Sequence, residues 1–425
     1  MVRNMMDVPT SVSREIRRPR IKRFAAVFGP GIVVMLADTD VGSVITAGQS
    51  GVQWGYRLLA LQLVLAPILY IVQELTVRLG IFTGRGHGEL IRREFGPFWA
   101  WVSAIGLTVA SLGALLSEFS GVAGVGEMFG VSRAITLPMA ALALLAIVMT
   151  GSYRRVERIA IVIGLFELAF FGVAYASGPD LSIMLRQSVD IPIRNSGYVY
   201  LVAANIGAVI MPWMVFYQQS AIADKRLGPE HYTAARWDTA IGALVTQLVM
   251  AAVLISAAAT LAPGLVSGDK PGLSTVGEMS AALTPFLGPL IGRVVFGLGV
   301  LGAGLVAAIV ASLALAWGLG EVSGYQRSLE LRPLQARWFY GCYALCVVGG
   351  ATVVGIAPDL VSLNVAVQVM NALLLPLVLG FLFMLAIRSL PPEVRLQGWY
   401  KIVVLVVIVV TAGLGVWGGI ASLFD

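Results

Sequence analysis

Two carboxylates inside a hydrophobic segment constrain this chain more than any other feature. Asp38 and Asp40 lie about ten residues into the apolar stretch 29–48, and Gly42 follows two residues after Asp40. A charge near the centre of a bilayer costs several kcal/mol unless it meets a partner or lines a wet cavity. The glycine and small residues beside these carboxylates indicate a broken helix with exposed backbone carbonyls. A carboxylate next to unwound backbone at the membrane midplane is how transporters hold a cation.

The composition predicts a polytopic membrane protein. Of the 425 residues, 58% are hydrophobic and 12% are charged, and the mean hydropathy is +0.87, values outside the range of soluble domains of this size. The sequence contains no nucleophile–base set, phosphate-binding loop or soluble catalytic domain, so an enzyme is not expected. The net charge of +6 comes from basic residues scattered through loops, and nucleic acid is not an expected partner. No cofactor and no obligate protein partner are expected either.

Eleven apolar segments are long enough to cross a bilayer. They span residues 25–50, 57–78, 99–128, 134–150, 157–177, 197–221, 236–262, 288–320, 338–356, 359–386 and 398–421. The seventh, eighth and tenth are long, which predicts tilted helices.

The distribution of Lys and Arg predicts the orientation. Twenty-three of the 29 basic residues lie in the N-terminal arm and in the loops after the even-numbered spans, and six lie on the other side. Cytoplasmic loops carry the excess of positive charge. We therefore expect a multi-pass protein of the cell inner membrane with a cytoplasmic N-terminus and an external C-terminus.

The sixth span is interrupted near its middle, as the first is. It contains Pro212 shortly after Gly207, and proline removes a backbone donor and frees upstream carbonyls. Interrupted helices at positions 1 and 6 are typical of a five-plus-five inverted repeat. The expected organisation is a basic cytoplasmic arm, a first repeat of helices 1–5, a second repeat of helices 6–10 and an eleventh helix, at residues 1–24, 25–177, 197–386 and 398–421.

The cysteines and histidines carry little functional signal. Cys342 and Cys346 lie four residues apart in one apolar span and are expected to be packed thiols. His87 and His231 are expected in loops, with no histidine inside the membrane.

Several motifs in order resemble the Nramp family of divalent-metal transporters. They are GPG at 29–31, the acidic break from Asp40 to Ser43, QWGYRLLA at 53–60, QELTVRLGIFTGRGHGEL at 73–90 and MPW at 211–213. The similarity covers most of the chain, through spans 7 and 10. It implies an all-α, LeuT-like fold with unwound helices 1 and 6, and transport of divalent cations by alternating access.

The resemblance also implies a set of metal-binding residues. These are the side chains of Asp40, Ser43, Met211 and Gln368 and the backbone carbonyls of Ala37 and Ala208. Residues expected on the pathway or next to the ligands are Asp38, Glu118, Trp213, Asn371 and Asn205. Asp40 supplies the formal charge expected among the ligands.

The chain also departs from the family at several positions. Val41 and Ser43 replace Pro and Asn of the first motif, Trp213 replaces a His, Gln218 or Gln219 replaces a second His, and Leu115 replaces an Asp near the retained Glu118. In the family these titratable groups belong to the proton route, and histidine is the side chain that changes charge near neutral pH. We therefore expect weak or absent proton coupling.

The losses are similar to those of the Nramp-related magnesium-transporter branch, and the ion remains open at this point. Met211 is a soft ligand suited to Mn²⁺ or Fe²⁺, whereas the shorter Ser43 leaves room for a hydrated Mg²⁺. Two other classes also stay open. One is a permease of the same fold for an organic solute such as an amino acid, in which Asp40 holds an amine or a coupling Na⁺. The other is a sensor or channel built on this fold.

Overall fold

Every regular element in the part of the chain that the structure describes is a helix. The structure is a computed structural model, and it describes residues 30–150, 152–261, 276–277, 280, 289–356 and 360–421. The predicted basic arm at 1–24 and the first residues of span 1 lie outside this range. The α-helices are α1 Pro30–Asp38, α2 Val41–Trp54, α3 Leu59–Thr83, α4 His87–Phe95, α5 Pro97–Met128, α6 Arg133–Val148, α7 Tyr153–Gly164, α8 Ala169–Ala176, α9 Leu181–Ser188, α10 Ser196–Val209, α11 Pro212–Asp224, α12 Tyr232–Leu261, α13 Pro289–Ser323, α14 Arg337–Ile356, α15 Leu360–Arg388 and α16 Gly398–Ala421.

Each of the eleven predicted spans coincides with one helix or with two consecutive helices. Span 1 comprises α1 and α2, span 5 comprises α7 and α8, and span 6 comprises α10 and α11. Among the described residues, nine helical stretches are long and apolar enough to cross a membrane, and the first of them joins α2 to α3. A shorter apolar helix, α6, corresponds to span 4. The predicted interruptions of spans 1 and 6 are both confirmed.

The two interrupted spans lie in the middle of the bundle. Nearly nine-tenths of the most apolar window of span 6 is buried inside the protein, against 39% for α16. Span 6 packs against α15, α16 and α13, while span 1 packs against α12 and α13. The remaining helices expose large apolar side chains such as Leu142 and Ile402, as expected for surfaces facing lipid.

The expectation that both histidines lie in loops is wrong. His87 is the first residue of α4 and is completely buried, whereas His231 ends a short 3₁₀ turn, Pro229–His231. The ring of His87 packs edge-on against Phe216, and its Nδ1 lies 3.0 Å from Oε1 of Gln219. Burial follows because Gly86 and Gly88 let the start of α4 press against α13. The thiol of Cys346 is buried, as predicted, and Cys342 is half-buried.

Candidate functional site

The break in span 1 is organised by Asp40. The chain leaves the helix after Asp38, and Asp40 adopts an extended conformation (φ −76°, ψ 171°) before α2 begins at Val41. Oδ1 of Asp40 accepts a hydrogen bond from the amide of Ser43 at 2.5 Å, the usual arrangement of an N-terminal helix cap. Its Oδ2 has no hydrogen-bond partner among the described residues, although it is buried. One oxygen thus holds the helix and the other is available.

Glu118 completes the break from α5. Its Oε2 accepts a hydrogen bond from the amide of Val41 at 3.1 Å. In a continuous helix that amide would bond to the carbonyl of Ala37, four residues earlier. The carbonyl of Ala37 therefore loses its regular partner, as predicted for a backbone ligand, while Glu118 is brought beside Asp40.

The break in span 6 follows from its proline. Ile210 and Met211 leave the helical conformation, and α11 starts at Pro212. Pro212 has no N–H to offer the carbonyl of Ala208, four residues before it. Met211 caps α11 with an extended backbone (φ −96°, ψ 138°) and is completely buried. The expected carbonyl and thioether positions therefore both lie at the break.

A single hydroxyl joins the two breaks. Oγ of Ser43 lies 2.8 Å from the carbonyl oxygen of Ala208 and 3.1 Å from that of Asp38. Its single proton can be donated to either carbonyl, and each carbonyl has lost its helical partner in an interrupted span. The predicted ligands of spans 1 and 6 thus lie side by side, as an unwound transporter site requires.

Helix α15 brings Gln368 to the same place. A Cβ on Gly42 would overlap the amide nitrogen of Gln368, and one on Gly207 would overlap its backbone carbonyl. These two glycines let α15 touch both interrupted spans, and they place the Gln368 amide beside Asp40. Oε1 of Gln368 accepts a hydrogen bond from Asn371 at 2.9 Å. The side chains of Gln368 and Asn371 therefore contact each other, as their spacing of one helical turn predicts.

The site contains an acidic residue that the sequence analysis missed. Glu167 lies in the 3₁₀ turn Leu165–Leu168 between α7 and α8, is buried, and is close enough to Asp38 and Asp40 to repel them. It is an isolated carboxylate in an apolar span, so the rule that singled out Asp38 and Asp40 could have found it.

Two of the expected residues, Asn205 and Trp213, form no hydrogen bond at the breaks among the described residues. Asn205 accepts a hydrogen bond from Gln62 at 2.5 Å and donates to Ser50 at 2.8 Å. This separate network ties span 6 to α2 and α3, so Asn205 is committed to packing. Trp213 is completely buried, and its indole nitrogen has no partner among the described residues.

The two glutamines that replace a family histidine hold α11 in place. Gln218 accepts a hydrogen bond from Thr76 and donates to Thr239 at 3.0 Å. Gln219 contacts His87 and donates to the backbone carbonyl of Arg85 at 3.0 Å. Both side chains are thus used in contacts between helices.

The site holds four carboxyl groups and no counter-charge among the described residues. Asp38, Asp40, Glu118 and Glu167 are all buried, and none of them forms an ion pair within the described ranges. Burying a carboxylate without a counter-charge is costly, so such a group either takes up a proton or meets a cation. Together with the freed carbonyls, these oxygens can bind a cation.

Fold and site together define a membrane transporter with a LeuT-like fold and a central acidic site at two helix breaks. The family profile described as "Natural resistance-associated macrophage protein-like" (Nramp) matches residues 31–421. The chain therefore belongs to the Nramp family, which confirms the predicted resemblance and the prediction of a transporter and not an enzyme.

Similar proteins agree with this assignment. The divalent metal cation transporter MntH of Agrobacterium fabrum is 26% identical over 366 residues, which cover 82% of this chain and 77% of the relative. MntH of Burkholderia ambifaria is also 26% identical, over 88% of this chain and 84% of the relative. The manganese transporter of Eremococcus coleocola has a similar fold, with a TM-score of 0.73 at 20% identity over 99% of this chain and 92% of that chain.

Proposed function

We propose that this chain transports divalent metal cations across the membrane by alternating access around spans 1 and 6. The observation that carries the proposal is the junction of the two breaks, where Asp40 offers a free oxygen beside carbonyls detached from their helices. The metal is the cargo. The metal-cation transporters among the relatives support this class over a permease for organic solutes.

In this proposal the cargo binds to six groups. They are the side chains of Asp40, Ser43, Met211 and Gln368 and the carbonyls of Ala37 and Ala208. Asp40 supplies the charge, the carbonyls supply neutral oxygen, and the Met211 thioether favours Mn²⁺ or Fe²⁺ over Mg²⁺. Ser43 must exchange its hydrogen bond to Ala208 for a contact with the ion. The proposal covers two classes of transported ion: Mn²⁺ or Fe²⁺, and Mg²⁺.

The proposal includes the membrane arrangement. The chain lies in the cell inner membrane with a cytoplasmic N-terminus and an external C-terminus, as the excess of Lys and Arg on one side predicts. Helices 1–5 at residues 25–177 and helices 6–10 at 197–386 form the two inverted repeats. The helix breaks in spans 1 and 6, each the first helix of its proposed repeat, support this division.

Weak or absent proton coupling is also part of the proposal. Trp213 cannot titrate, and the two neighbouring glutamines of span 6 are fixed in contacts between helices. Glu118 is the retained family acid, and its bond to the Val41 amide gives it a structural task.

Uptake into proteoliposomes tests the function. Mn²⁺, Mg²⁺ and Ca²⁺ are offered in parallel, and the internal pH is followed in the same vesicles. Wild type should accumulate a divalent cation, and Asp40→Asn should abolish uptake without loss of folding, since a lone buried carboxylate contributes little stability. Asp190→Asn is the control, because Asp190 forms only an exposed ion pair with Arg57.

Two results would contradict the proposal. Unchanged metal affinity of the Asp40→Asn variant in calorimetry would remove Asp40 from the binding site. Stoichiometric proton entry with the metal, lost in Glu118→Gln, would show that transport is proton-coupled.

A further inference from the structure

A cleft of about 230 Å³ lies between the first turns of α12 and the middle of α3. Its lining residues are Tyr70, Thr233, Arg236, Trp237 and Ala240. None of them is a proposed metal ligand, so the cleft is separate from the cargo site. The loop before α12 carries Lys225 and Arg226, and the proposed orientation therefore places the cleft at the cytoplasmic surface of the membrane.

Arg236 gives this cleft a positive charge that is not fully neutralised. Its Nε and Nη2 donate to the hydroxyl of Tyr70 at 3.3 and 3.2 Å, and its Nε lies 3.8 Å from Oε1 of Glu74. Glu74 already forms a much closer ion pair with Arg78, whose Nη2 lies 2.8 and 3.0 Å from the two carboxylate oxygens. Two guanidinium groups thus share one carboxylate, and the side chain of Arg236 is 46% exposed.

The surface of α12 that continues from the cleft is apolar. Trp237, Ile241, Leu244 and Leu248 are exposed and recur every three or four residues along the helix. Residues at this spacing share one face of a helix, and an exposed apolar face on a membrane-spanning helix meets lipid. Tryptophan is enriched where such a helix reaches the polar headgroups. Arg236 therefore lies at the level of the headgroups, beside a surface that the acyl chains cover.

We propose that the cleft between α3 and α12 binds the headgroup phosphate of an anionic phospholipid. Arg236 binds the phosphate through the N–H groups that Tyr70 does not use, as guanidinium groups do with phosphate elsewhere. The acyl chains lie along the apolar face that begins at Trp237. An anionic lipid is favoured over a zwitterionic one, because an ammonium headgroup would meet a cleft that is already positive. The assignment to the cytoplasmic leaflet rests on the proposed orientation, and that leaflet attracts basic residues near its surface.

Native mass spectrometry of the purified full-length protein tests this site. The protein in detergent is titrated with phosphatidylglycerol and, separately, with phosphatidylcholine. Wild type should bind one phosphatidylglycerol more tightly than any phosphatidylcholine. Arg236→Gln should weaken that binding about fivefold, since a basic residue near an anionic surface contributes about 1 kcal/mol. Free glycerol 3-phosphate should not compete, because it lacks the acyl chains that lie along α12.

Arg93→Gln is the matched control. Arg93 is also an exposed arginine whose Nε lies 3.8 Å from a glutamate, Glu94, but it belongs to α4 and does not line the cleft. This variant should bind phosphatidylglycerol as wild type does, and size-exclusion chromatography checks that each variant folds.

Three results would overturn the lipid site. They are equal binding of the two lipids by wild type, an equal loss of binding in Arg93→Gln and Arg236→Gln, and effective competition by glycerol 3-phosphate. Lipid binding is measured without a metal ion, so each of these results would leave the proposed transport function standing.

Discussion

At the residue scale, the site is built from groups that have lost their usual partners. The Val41 amide turns from Ala37 to Glu118, and Pro212 offers Ala208 no amide at all. Each change frees a backbone carbonyl at a position proposed as a metal ligand, without any unusual side chain. A mutation at these positions acts through the backbone as much as through the side chain it removes.

If Met211 is a ligand, as proposed, it should decide which ions the cargo site prefers. A thioether contributes to binding of Mn²⁺ or Cd²⁺ and almost nothing to Mg²⁺, whose ligands are oxygen. Met211→Ala should weaken Mn²⁺ and Cd²⁺ binding by about 1–2 kcal/mol, roughly tenfold, and spare Mg²⁺. Competition of Mn²⁺ uptake by excess Mg²⁺ measures the effect.

Met250→Ala serves as the control for this prediction, because Met250 is also buried but belongs to α12. An unchanged order of ion preference in Met211→Ala would show that Met211 is only part of the wall. Strong competition by Mg²⁺ in both proteins would place the chain with magnesium-type carriers.

Single residues also show how far the sequence predicts the site. Asp40, Gly42 and Pro212 were recognisable because a charge, a glycine and a proline are each abnormal inside an apolar span. The commitment of Asn205 to Gln62 could not be predicted, because it depends on how α3 packs against α10. The burial of His87 depends in the same way on the contact of α4 with α13.

At the element scale, the sequence predicts the interrupted helices. It does not predict the hydrogen bonds that attach them to neighbouring helices. Segment α11 is held by Gln218, Gln219 and Ser220, and Ser220 donates to Glu321 of α13 at 2.6 Å. Segment α1 is held to α12, where Asp238 accepts from the amide of Gly31 at 2.9 Å. The last two contacts join residues 101 and 207 positions apart, so no local pattern reveals them.

Restoring the helix at the break of span 6 should impair transport. Pro212→Ala adds an amide that can bond to the carbonyl of Ala208, in competition with Ser43. We expect uptake to fall at least tenfold while the unfolding temperature stays equal or rises. Parallel uptake and thermal-unfolding measurements check this expectation.

Pro67→Ala provides the matched comparison, because Pro67 lies exposed inside the continuous helix α3. It should leave uptake unchanged. Normal uptake by Pro212→Ala would mean that the free carbonyl of Ala208 is not required.

At the scale of the whole molecule, one buried histidine should make stability depend on pH. Burial lowers the pKa of His87 to about 4, and the contact with Gln219 offsets only part of this effect. The unfolded chain binds the proton near pH 6.5, so stability is complete above that pH and falls as the pH drops towards 4.

His87→Gln should therefore flatten the pH profile of unfolding. Between pH 6.5 and 5 the wild-type protein should lose about 2 kcal/mol through this group. Thermal unfolding in detergent across this range measures how stability changes with pH. This slope, and not the absolute stability, is compared between the wild type and the variants. His231→Gln, altered at a partly exposed position, should keep the wild-type slope; an equally steep profile in His87→Gln would contradict the assignment.

The hydrogen bond from Ser43 to Ala208 has a consequence for turnover. A carrier that releases its cargo must return empty, and an empty site with bare carbonyls would make that step slow. In this chain the serine hydroxyl lies within hydrogen-bond distance of the carbonyl of Ala208 and can satisfy it. The family motif has the longer Asn at this position. The shorter Ser43 places its hydroxyl against the carbonyl of Ala208. We therefore expect Ser43 to favour a rapid return of the unloaded protein, at the expense of tight cargo binding.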